Sequence, residues 1–225
     1  FQAPAVTLPG MALVVSPLIS LMKDQVDALR QCGIHAARLD SYQSPQERTF
    51  VFDQIENRSL KLLYLSPERL FSNGFIDFLK KNAVSFVAVD EAHCVSMWGH
   101  DFRPEYRMLG QLKTALPGVT LHAYTATATA QVRDDISTQL NLSNPQILVG
   151  SFDRPNLVYK IERAKDIFKQ VCSAIDSHAN EPGIVYCIRR GDVDSLCAQL
   201  SRKGYKALPY HAGMTDQDRK QNQDA

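Results

Sequence analysis

The segment "MALVVSPLISLMKDQVDALR", residues 11–30, joins an uninterrupted apolar run to a stretch with helical spacing. We interpret residues 11–16 as a buried strand, and Ser16 with Pro17 as the N-cap and first turn of the next helix. One face of that helix carries the apolar residues Leu18, Leu21, Met22, Val26 and Leu29. A buried strand followed by an amphipathic helix is typical of a parallel sheet covered by helices.

The same alternation continues along the chain. Ser44 and Glu47 have the spacing of a capping box, which predicts the start of a second helix. Apolar runs predict further strands at residues 60–65, 84–89, 119–125 and 146–150. After "SFDRPN", residues 151–156, the pattern restarts, and strands are predicted at 183–187 and 206–211. We therefore expect an α/β fold with one unit over residues 1–150 and the beginning of another over residues 151–225.

Composition excludes several classes of protein. With 225 residues and 44% hydrophobic content, the chain can bury a substantial core. It has no apolar run of the roughly 18 to 20 residues that span a bilayer, so we expect no membrane partner. The five cysteines are an odd number without paired short spacings and are interpreted as reduced thiols. The net charge of +1 argues against a uniformly basic nucleic-acid binder, so any such site must be local.

The segment "VDEAHCVSMWGHDFRPEY", residues 89–106, places two acids directly after a predicted buried strand. Adjacent carboxylates there suit a metal-bound phosphate site, in which Asp90 would hold Mg²⁺ directly or through water and Glu91 would activate an attacking water. A simpler alternative is that the acids only end the strand and cap the next helix. A zinc site built from Cys94, His93 and His100 is a further alternative, although the paired spacing of common zinc motifs is missing.

These residues resemble a known family. Asp90 to His93 is similar to the DEAH box of superfamily 2 helicases, and "CVSMWGHDFRPEY" resembles the aromatic-rich loop of RecQ-type DNA helicases. Other segments resemble further motifs of that family, namely "VVSPLISLMKDQV" (14–26), "LLYLSPERL" (62–70), "TATAT" (125–129), "SFDRPN" (151–156), "GIVYC" (183–187) and "YHAGM" (210–214). The resemblance implies a P-loop NTPase-type, RecA-like helicase domain followed by the start of a second RecA-like domain.

The resemblance also implies roles at the nucleotide. ATP and Mg²⁺ would be the cofactors, and any zinc would lie outside these residues. Asp90 would coordinate Mg²⁺, Glu91 would be the catalytic base, and His93 would connect the site to the "TATAT" segment. His100 would face the nucleotide from the aromatic-rich loop. Thr125 and Thr127 would couple the nucleotide and DNA sites, although they could instead cap the following helix.

For DNA, the resemblance implies that Trp98, Phe102 and Arg103 form a loop that senses single strands by stacking and phosphate pairing. A buried, purely structural Trp98 is the alternative. Candidate phosphate contacts in the first unit are Ser16, Ser20, Lys23, Ser66 and Arg69. For Ser16 and Ser66, plain helix capping is an equally good interpretation.

The chain also departs from the family pattern. It contains no Gly-Lys pair, so it lacks the P-loop motif, and we expect that motif upstream of Phe1 and the arginine finger beyond Ala225. Ile188 and Arg189 stand where small polar residues are expected to face DNA, and Arg189 or Arg190 could supply charge instead. The isolated fragment is therefore expected to be inactive.

The resulting hypothesis is a fragment of an ATP-dependent 3′–5′ DNA helicase that unwinds duplex DNA in recombination and repair. Its expected partners are single-stranded and duplex DNA, and a single-stranded-DNA-binding protein contacted through other regions. The expected location is the bacterial cytoplasm, at the nucleoid, or the nucleus in a eukaryote. The alternative is a non-catalytic nucleic-acid-binding module with a helicase fold. An RNA helicase of the same superfamily is a third interpretation, which the aromatic-rich loop argues against.

Overall fold

The computed structural model describes residues 1–40, 43–72, 74–151 and 154–224, so Phe152 and Asp153 of the "SFDRPN" segment lie outside it. The chain divides into two compact units, Phe1–Val149 and Gly150–Ala225. No helix in the described ranges is both long and apolar enough to cross a membrane.

The first unit contains one parallel sheet. Its strands are β1 (Met11–Val15), β2 (Ala36–Leu39), β3 (Leu62–Leu65), β4 (Val84–Val89) and β5 (Thr120–Ala123). They lie in the order β2-β3-β1-β4-β5, and each neighbouring pair is parallel. The helices around them are α1 (Gln2–Thr7), α2 (Ile19–Gln31), α3 (Pro45–Glu56), α4 (Pro67–Leu70), α5 (Phe75–Lys80), α6 (Pro104–Arg107), α7 (Leu112–Ala115) and α8 (Ala130–Gln139).

The sheet order explains the sequence pattern of the strands. β1 is the central strand, and alternate residues enter two separate clusters: Leu13 and Val15 pack on one face, Ala12 and Val14 on the other. Because helices cover both faces, all five residues of β1 are buried, which is why the strand is an uninterrupted apolar run. β5 lies at the edge and alternates exposed and half-buried residues. The α/β fold predicted from the sequence is confirmed.

Helix starts are set by local polar contacts. The capping box predicted at Ser44 and Glu47 is present at the start of α3, with both reciprocal hydrogen bonds formed. The predicted N-cap at Ser16 is wrong, because α2 begins at Ile19 with Leu18 as its N-cap. The Ser16 N–H still bonds to the Leu65 carbonyl at 3.1 Å, so Ser16 continues the sheet and the chain turns only after it.

The second unit contains α9 (Ile167–Asp176), α10 (Arg190–Arg202) and α11 (Asp216–Asp224). Cys172 and Leu200 are buried there, and the Tyr205 hydroxyl donates a 2.7 Å hydrogen bond to Asp176 Oδ1.

Three predicted strands are absent from the described residues, at 146–150, 183–187 and 206–211. A strand requires a neighbouring backbone to pair with as well as an apolar run, and in these segments the runs are present without the ladder. Leu148 and Tyr186 are accordingly 85% and 90% exposed.

Candidate functional site

The carboxyl end of β4 carries the two adjacent acids, Asp90 and Glu91. The Asp90 N–H donates a 2.8 Å hydrogen bond to the Val15 carbonyl, so Asp90 continues the pairing of β4 with β1. The Ala92 N–H donates to the Tyr124 carbonyl at 2.9 Å. The turn that follows β4, which we call the acidic turn (residues 90–93), is therefore fixed on one side by β1 and on the other by the segment after β5.

The Asp90 carboxylate is half-buried, and its Oδ1 accepts a 3.1 Å hydrogen bond from the Glu91 N–H. Burial raises the pKa of Asp90, and the negative charge of Glu91 raises it further, whereas the Glu91 N–H and the polar side chain of Gln25 oppose that shift. The Tyr106 hydroxyl donates to the Asp90 backbone carbonyl at 3.2 Å, which anchors the start of the turn.

The side chains at this site suit Mg²⁺ better than they suit zinc. Carboxylate oxygens suit Mg²⁺, which is commonly held by one or two carboxylates completed by waters and substrate phosphates. Within the described residues, no group of three or more metal-binding side chains is placed to hold an ion. Burial raises the pKa of the Cys94 thiol to about 11.

Glu91 has a strained backbone. Its φ of 47° and ψ of 44° place it in the left-handed region, which is uncommon for a residue with a side chain. Such strain costs on the order of 1 kcal/mol or more and is frequent at functional sites. The conformation starts a short 3₁₀ turn over Ala92–Val95. Glu91 also lines a pocket together with residues of the β1–α2 segment, of the residues that follow Glu91 and of the segment after β5, namely Pro17, Leu18, His93, Cys94, His100, Asp101, Ala126 and Thr127.

His93 connects the acidic turn to two other segments. Its Nδ1 lies 3.0 Å from Thr125 Oγ1 and 3.3 Å from Glu91 Oε2, and its ring stacks on His100 with centroids 4.1 Å apart. Burial lowers the pKa of His93, and the charge of a protonated His100 would lower it further, so the imidazole is neutral at pH 7. Thr125 Oγ1 in turn accepts a 3.2 Å bond from the Thr127 N–H. Because the His93 imidazole is neutral, its contact with the Glu91 carboxylate is polar rather than ionic.

Thr125 and Thr127 do not cap the following helix, because the N-cap of α8 is Thr129, whose side chain accepts from the Val132 N–H.

The loop over residues 96–103 places an aromatic side chain in solvent. Trp98 is 68% exposed, so the interpretation of Trp98 as a core residue is wrong. The Trp98 backbone N–H donates a 3.1 Å hydrogen bond to Ser96 Oγ, which holds the backbone at this position. Gly99 allows the loop to fold back closely, since a Cβ there would lie 2.4 Å from the His93 carbonyl oxygen. The loop thus presents an exposed indole next to the acidic turn.

Arg103 closes this loop rather than projecting from it. Its Nε and Nη2 donate to Asp101 Oδ2 at 3.1 and 3.0 Å, and its Nη1 donates to the Pro17 carbonyl at 3.0 Å. The Arg103 N–H also donates to the Cys94 carbonyl at 2.9 Å. Phe102 is half-buried, with the Arg107 guanidinium 5.0 Å from its ring centroid. In this arrangement Arg103 joins the loop to the segment between β1 and α2.

The candidate phosphate contacts near β1 differ in access. Ser16 is 1% exposed, so its hydroxyl does not reach the surface. That hydroxyl has no hydrogen-bond partner among the described residues. Ser20 is exposed at the start of α2. Lys23 is half-buried in the same helix and pairs with Asp27 at 3.2 Å. Two of these three side chains are therefore accessible.

The two candidates after β3 have structural partners. Ser66 is the N-cap of α4 and accepts from the Arg69 N–H, so its capping interpretation is confirmed. The Arg69 guanidinium lies 5.1 Å from the Phe75 ring centroid and donates to Ser72 Oγ at 3.0 Å. In the second unit, Arg189 and Arg190 are exposed at the start of α10.

Two residues of the site carry no sequence signal that identifies them. Asp101 accepts from the Arg103 guanidinium, and Tyr106 donates to the Asp90 backbone carbonyl. The spacing that predicts helices and strands does not predict such contacts. An aromatic or acidic residue in these patterns is equally compatible with a packing or surface role.

Comparison with known proteins gives one family. A family model described as "DEAD/DEAH box helicase" matches residues 1–136. The chain is 45% identical over 225 residues to the ATP-dependent DNA helicase RecQ of Pasteurella multocida, covering 100% of this chain and 36% of that protein. It is 41% identical over 225 residues to the ATP-dependent DNA helicase RecQ of Bacillus subtilis, covering 100% of this chain and 38% of that protein. The chain thus spans about a third of the length of these relatives.

Solved structures agree on the fold. A DUF1998 helicase, MrfA, bound to DNA and AMPPNP aligns with a TM-score of 0.68 at 17% identity, covering 98% of this chain and 34% of that one. The helicase Lhr of Mycobacterium smegmatis, bound to single-stranded DNA and AMP-PNP, aligns with a TM-score of 0.59 at 17% identity, covering 96% and 32%. At such identities the likeness shows the fold alone, and it confirms the RecA-like helicase architecture predicted from the sequence.

Proposed function

Because the chain belongs to the DEAD/DEAH box helicase family and matches RecQ helicases along its whole length, we propose that it forms part of an ATP-dependent 3′–5′ DNA helicase. The enzyme would unwind duplex DNA in recombination and repair. The observation that carries this proposal is the acidic turn, where Asp90 and the strained Glu91 end a buried strand beside His93 and Thr125. Ligands of open parallel sheets bind at this carboxyl edge.

In the proposed reaction the two acids have different tasks. The half-buried Asp90 would hold Mg²⁺, and a magnesium ion bound there supplies positive charge to the phosphates of ATP. Glu91 lines the pocket, and its carboxylate would orient a water molecule and accept its proton. His93, neutral at pH 7, leaves that carboxylate free of a fixed positive charge. The pair Asp90 and Glu91 therefore combines a metal ligand and a base on consecutive residues.

The same geometry suggests how binding of DNA would affect the nucleotide site. Trp98 would stack on a base of single-stranded DNA, with Ser20 and Lys23 contacting phosphates nearby. Phe102 and Arg103 would hold the loop in shape, since Arg103 bonds to Asp101 and Pro17. A shift of this loop would change the position of Glu91 through the contacts made by His93, His100, Thr125 and Thr127. Ser16, Ser66 and Arg69 would act as structural supports of the same edge.

The two units have distinct proposed roles. Residues 1–150 would be the first RecA-like domain, without its P-loop, and residues 151–225 the beginning of the second, where Arg189 and Arg190 would contact DNA. The 225 residues contain no Gly-Lys pair, so they lack the P-loop motif that cradles ATP phosphates. We therefore expect the isolated chain to be inactive.

Partners and location follow from the same proposal. The enzyme would bind single-stranded and duplex DNA, and a single-stranded-DNA-binding protein through regions outside this chain. It would act at the bacterial nucleoid, or in the nucleus of a eukaryotic cell.

The proposal is tested by ATP turnover of the protein expressed from its natural gene, with and without single-stranded DNA. We expect DNA to stimulate turnover, and Glu91→Gln to remove turnover under both conditions while ATP binding remains, because the base is lost and the phosphate contacts are kept. Glu105→Gln, the same change at a half-buried glutamate of α6, is the matched control and keeps turnover. Full turnover in Glu91→Gln, or none in the natural protein, contradicts the proposal.

A further inference from the structure

The peptide group that precedes Glu91 is held at both of its ends. Its carbonyl, which belongs to Asp90, accepts a 3.2 Å hydrogen bond from the Tyr106 hydroxyl. Its N–H, which belongs to Glu91, donates to Asp90 Oδ1 at 3.1 Å. Because a peptide group is planar, two hydrogen bonds on its opposite edges fix the orientation of the whole plane.

The peptide group that follows Glu91 is held in the same way, by backbone groups. The Glu91 carbonyl accepts from the Cys94 N–H, and the Ala92 N–H donates to the Tyr124 carbonyl, each at 2.9 Å. The φ and ψ angles of Glu91 describe the rotation between these two planes. The four hydrogen bonds together therefore hold Glu91 at its φ of 47° and ψ of 44°, in the left-handed region.

Tyr106 supplies the one of these four bonds that involves a side chain outside the acidic turn. Tyr106 is 1% exposed, and a phenol is protonated at neutral pH, so its hydroxyl remains a donor. The left-handed region disfavours a residue with a Cβ by an amount comparable to the contribution of one hydrogen bond. Removal of this hydroxyl is therefore sufficient to weaken the hold on the strained backbone of Glu91.

Tyr106 also connects the acidic turn to the loop over residues 96–103. It lies in α6, which begins directly after that loop, and its N–H donates to the Arg103 carbonyl at 3.0 Å. A displacement of this end of the loop therefore moves the Tyr106 hydroxyl, and with it the Asp90 carbonyl. This connection is separate from the stacking of His100 on His93.

We propose that Tyr106 is a positioning residue for Glu91. By holding the peptide group before Glu91, its hydroxyl keeps the backbone in the conformation that directs the carboxylate into the pocket. Loss of the hydroxyl lets Glu91 relax toward the right-handed region, which changes the direction of its side chain. The role toward a catalytic base rests on the proposed function, whereas the hydrogen bonds around Glu91 do not.

The hold on the peptide group is tested first, without any activity, by NMR hydrogen exchange of this chain. Tyr106→Phe keeps the buried ring, and the Glu91 amide should then exchange with water about tenfold faster, because one hydrogen bond to its peptide group is worth about that factor. The Ser44 amide, which also donates to a carboxylate, Glu47 Oε2 at 2.7 Å, is the reference and should not change. Tyr124→Phe is the matched control, since Tyr124 contacts the acidic turn through its backbone carbonyl, and it should leave both amides unchanged. Unchanged exchange at Glu91, or equal acceleration at Glu91 and Ser44, overturns the proposal.

The role is then tested by kcat and KM for ATP in the protein expressed from its natural gene, at saturating single-stranded DNA. Tyr106→Phe should lower kcat about tenfold and leave KM within about twofold, because the position of the base affects the chemical step while the phosphate contacts are kept. Tyr124→Phe should change neither constant. A kcat that stays at the natural value, or a loss that appears in KM, overturns the role. Absence of turnover in the natural protein refutes the proposed function and with it the role toward the base, and the exchange result then decides the hydrogen bond alone.

Discussion

Asp90 and Glu91 are neighbours in sequence, yet the structure gives them different surroundings. Asp90 continues the sheet, is half-buried and accepts a hydrogen bond from the Glu91 N–H. Glu91 leaves the sheet through a left-handed backbone and faces a pocket. Two carboxylates with such different surroundings can divide metal binding and proton transfer between them.

Trp98 gives the residue-scale prediction. In the natural gene product, Trp98→Ala should lower DNA-stimulated ATP turnover far more than turnover without DNA, because the exposed indole would stack on a base and its loop contacts the acidic turn through Gly99 and His93. Stacking is worth roughly 1 to 3 kcal/mol, so turnover is measured at saturating single-stranded DNA to separate coupling from affinity.

Met97→Ala is the matched control for Trp98, since Met97 is also exposed and adjacent. It should retain most of the DNA stimulation because it lacks an aromatic face. Equal losses with and without DNA in Trp98→Ala, accompanied by a lower melting temperature, would show that the indole stabilises the fold instead of sensing DNA.

At the scale of elements, the two units differ in how their apolar runs are used. β4 is paired on both sides and four of its six residues are buried, whereas residues 183–187 form no strand and Tyr186 is 90% exposed. Protection from hydrogen exchange requires a buried or paired amide. The apolar run alone therefore does not provide stability in the second unit.

Hydrogen exchange of this chain should show that difference. We expect the amides of residues 84–89 to be protected by several orders of magnitude more than those of residues 183–187, because only the former open with the whole sheet. Helix α10 is the internal control, with intermediate protection from its own hydrogen bonds. Equal protection of the two segments would contradict the description of the second unit.

The sequence predicted four of the five strands of the sheet, because their signals are local, whereas β2 (Ala36–Leu39) was not predicted. Residues 84–89 are a strand as expected, and the capping box at Ser44 is formed. The predicted strands at 146–150, 183–187 and 206–211 are wrong because strand formation depends on a partner remote in sequence. The start of α2 was misplaced for a related reason, since Ser16 bonds to β3.

The site was predictable in part. Asp90, Glu91 and His93 follow a recognisable strand, and the structure places them together at its carboxyl edge. The contact of Tyr106 with Asp90 was not predicted, because a hydrogen bond between α6 and the end of β4 depends on packing that no local spacing encodes. The burial of Ser16 was hidden for the same reason, since only the sheet order shows that β1 is central.

At the scale of the whole molecule, the chain combines a RecA-like sheet with a nucleotide-site candidate and an exposed aromatic loop at one edge. Its family and its identity to RecQ helicases agree with that arrangement. We propose that ATP hydrolysis at the acidic turn drives strand separation in the protein to which these residues belong. Strand separation should then require both ATP and the Glu91 carboxylate.

Strand separation of a duplex with a 3′ single-stranded tail tests that claim most directly, using the natural gene product, Mg²⁺ and ATP. We predict that the natural protein and Glu105→Gln separate the strands, that a duplex with only a 5′ tail stays intact, and that Glu91→Gln separates neither substrate although it binds both. Loss of the base lowers turnover by orders of magnitude while leaving the DNA contacts in place. Strand separation by Glu91→Gln at the natural rate, or none by the natural protein, would contradict the account.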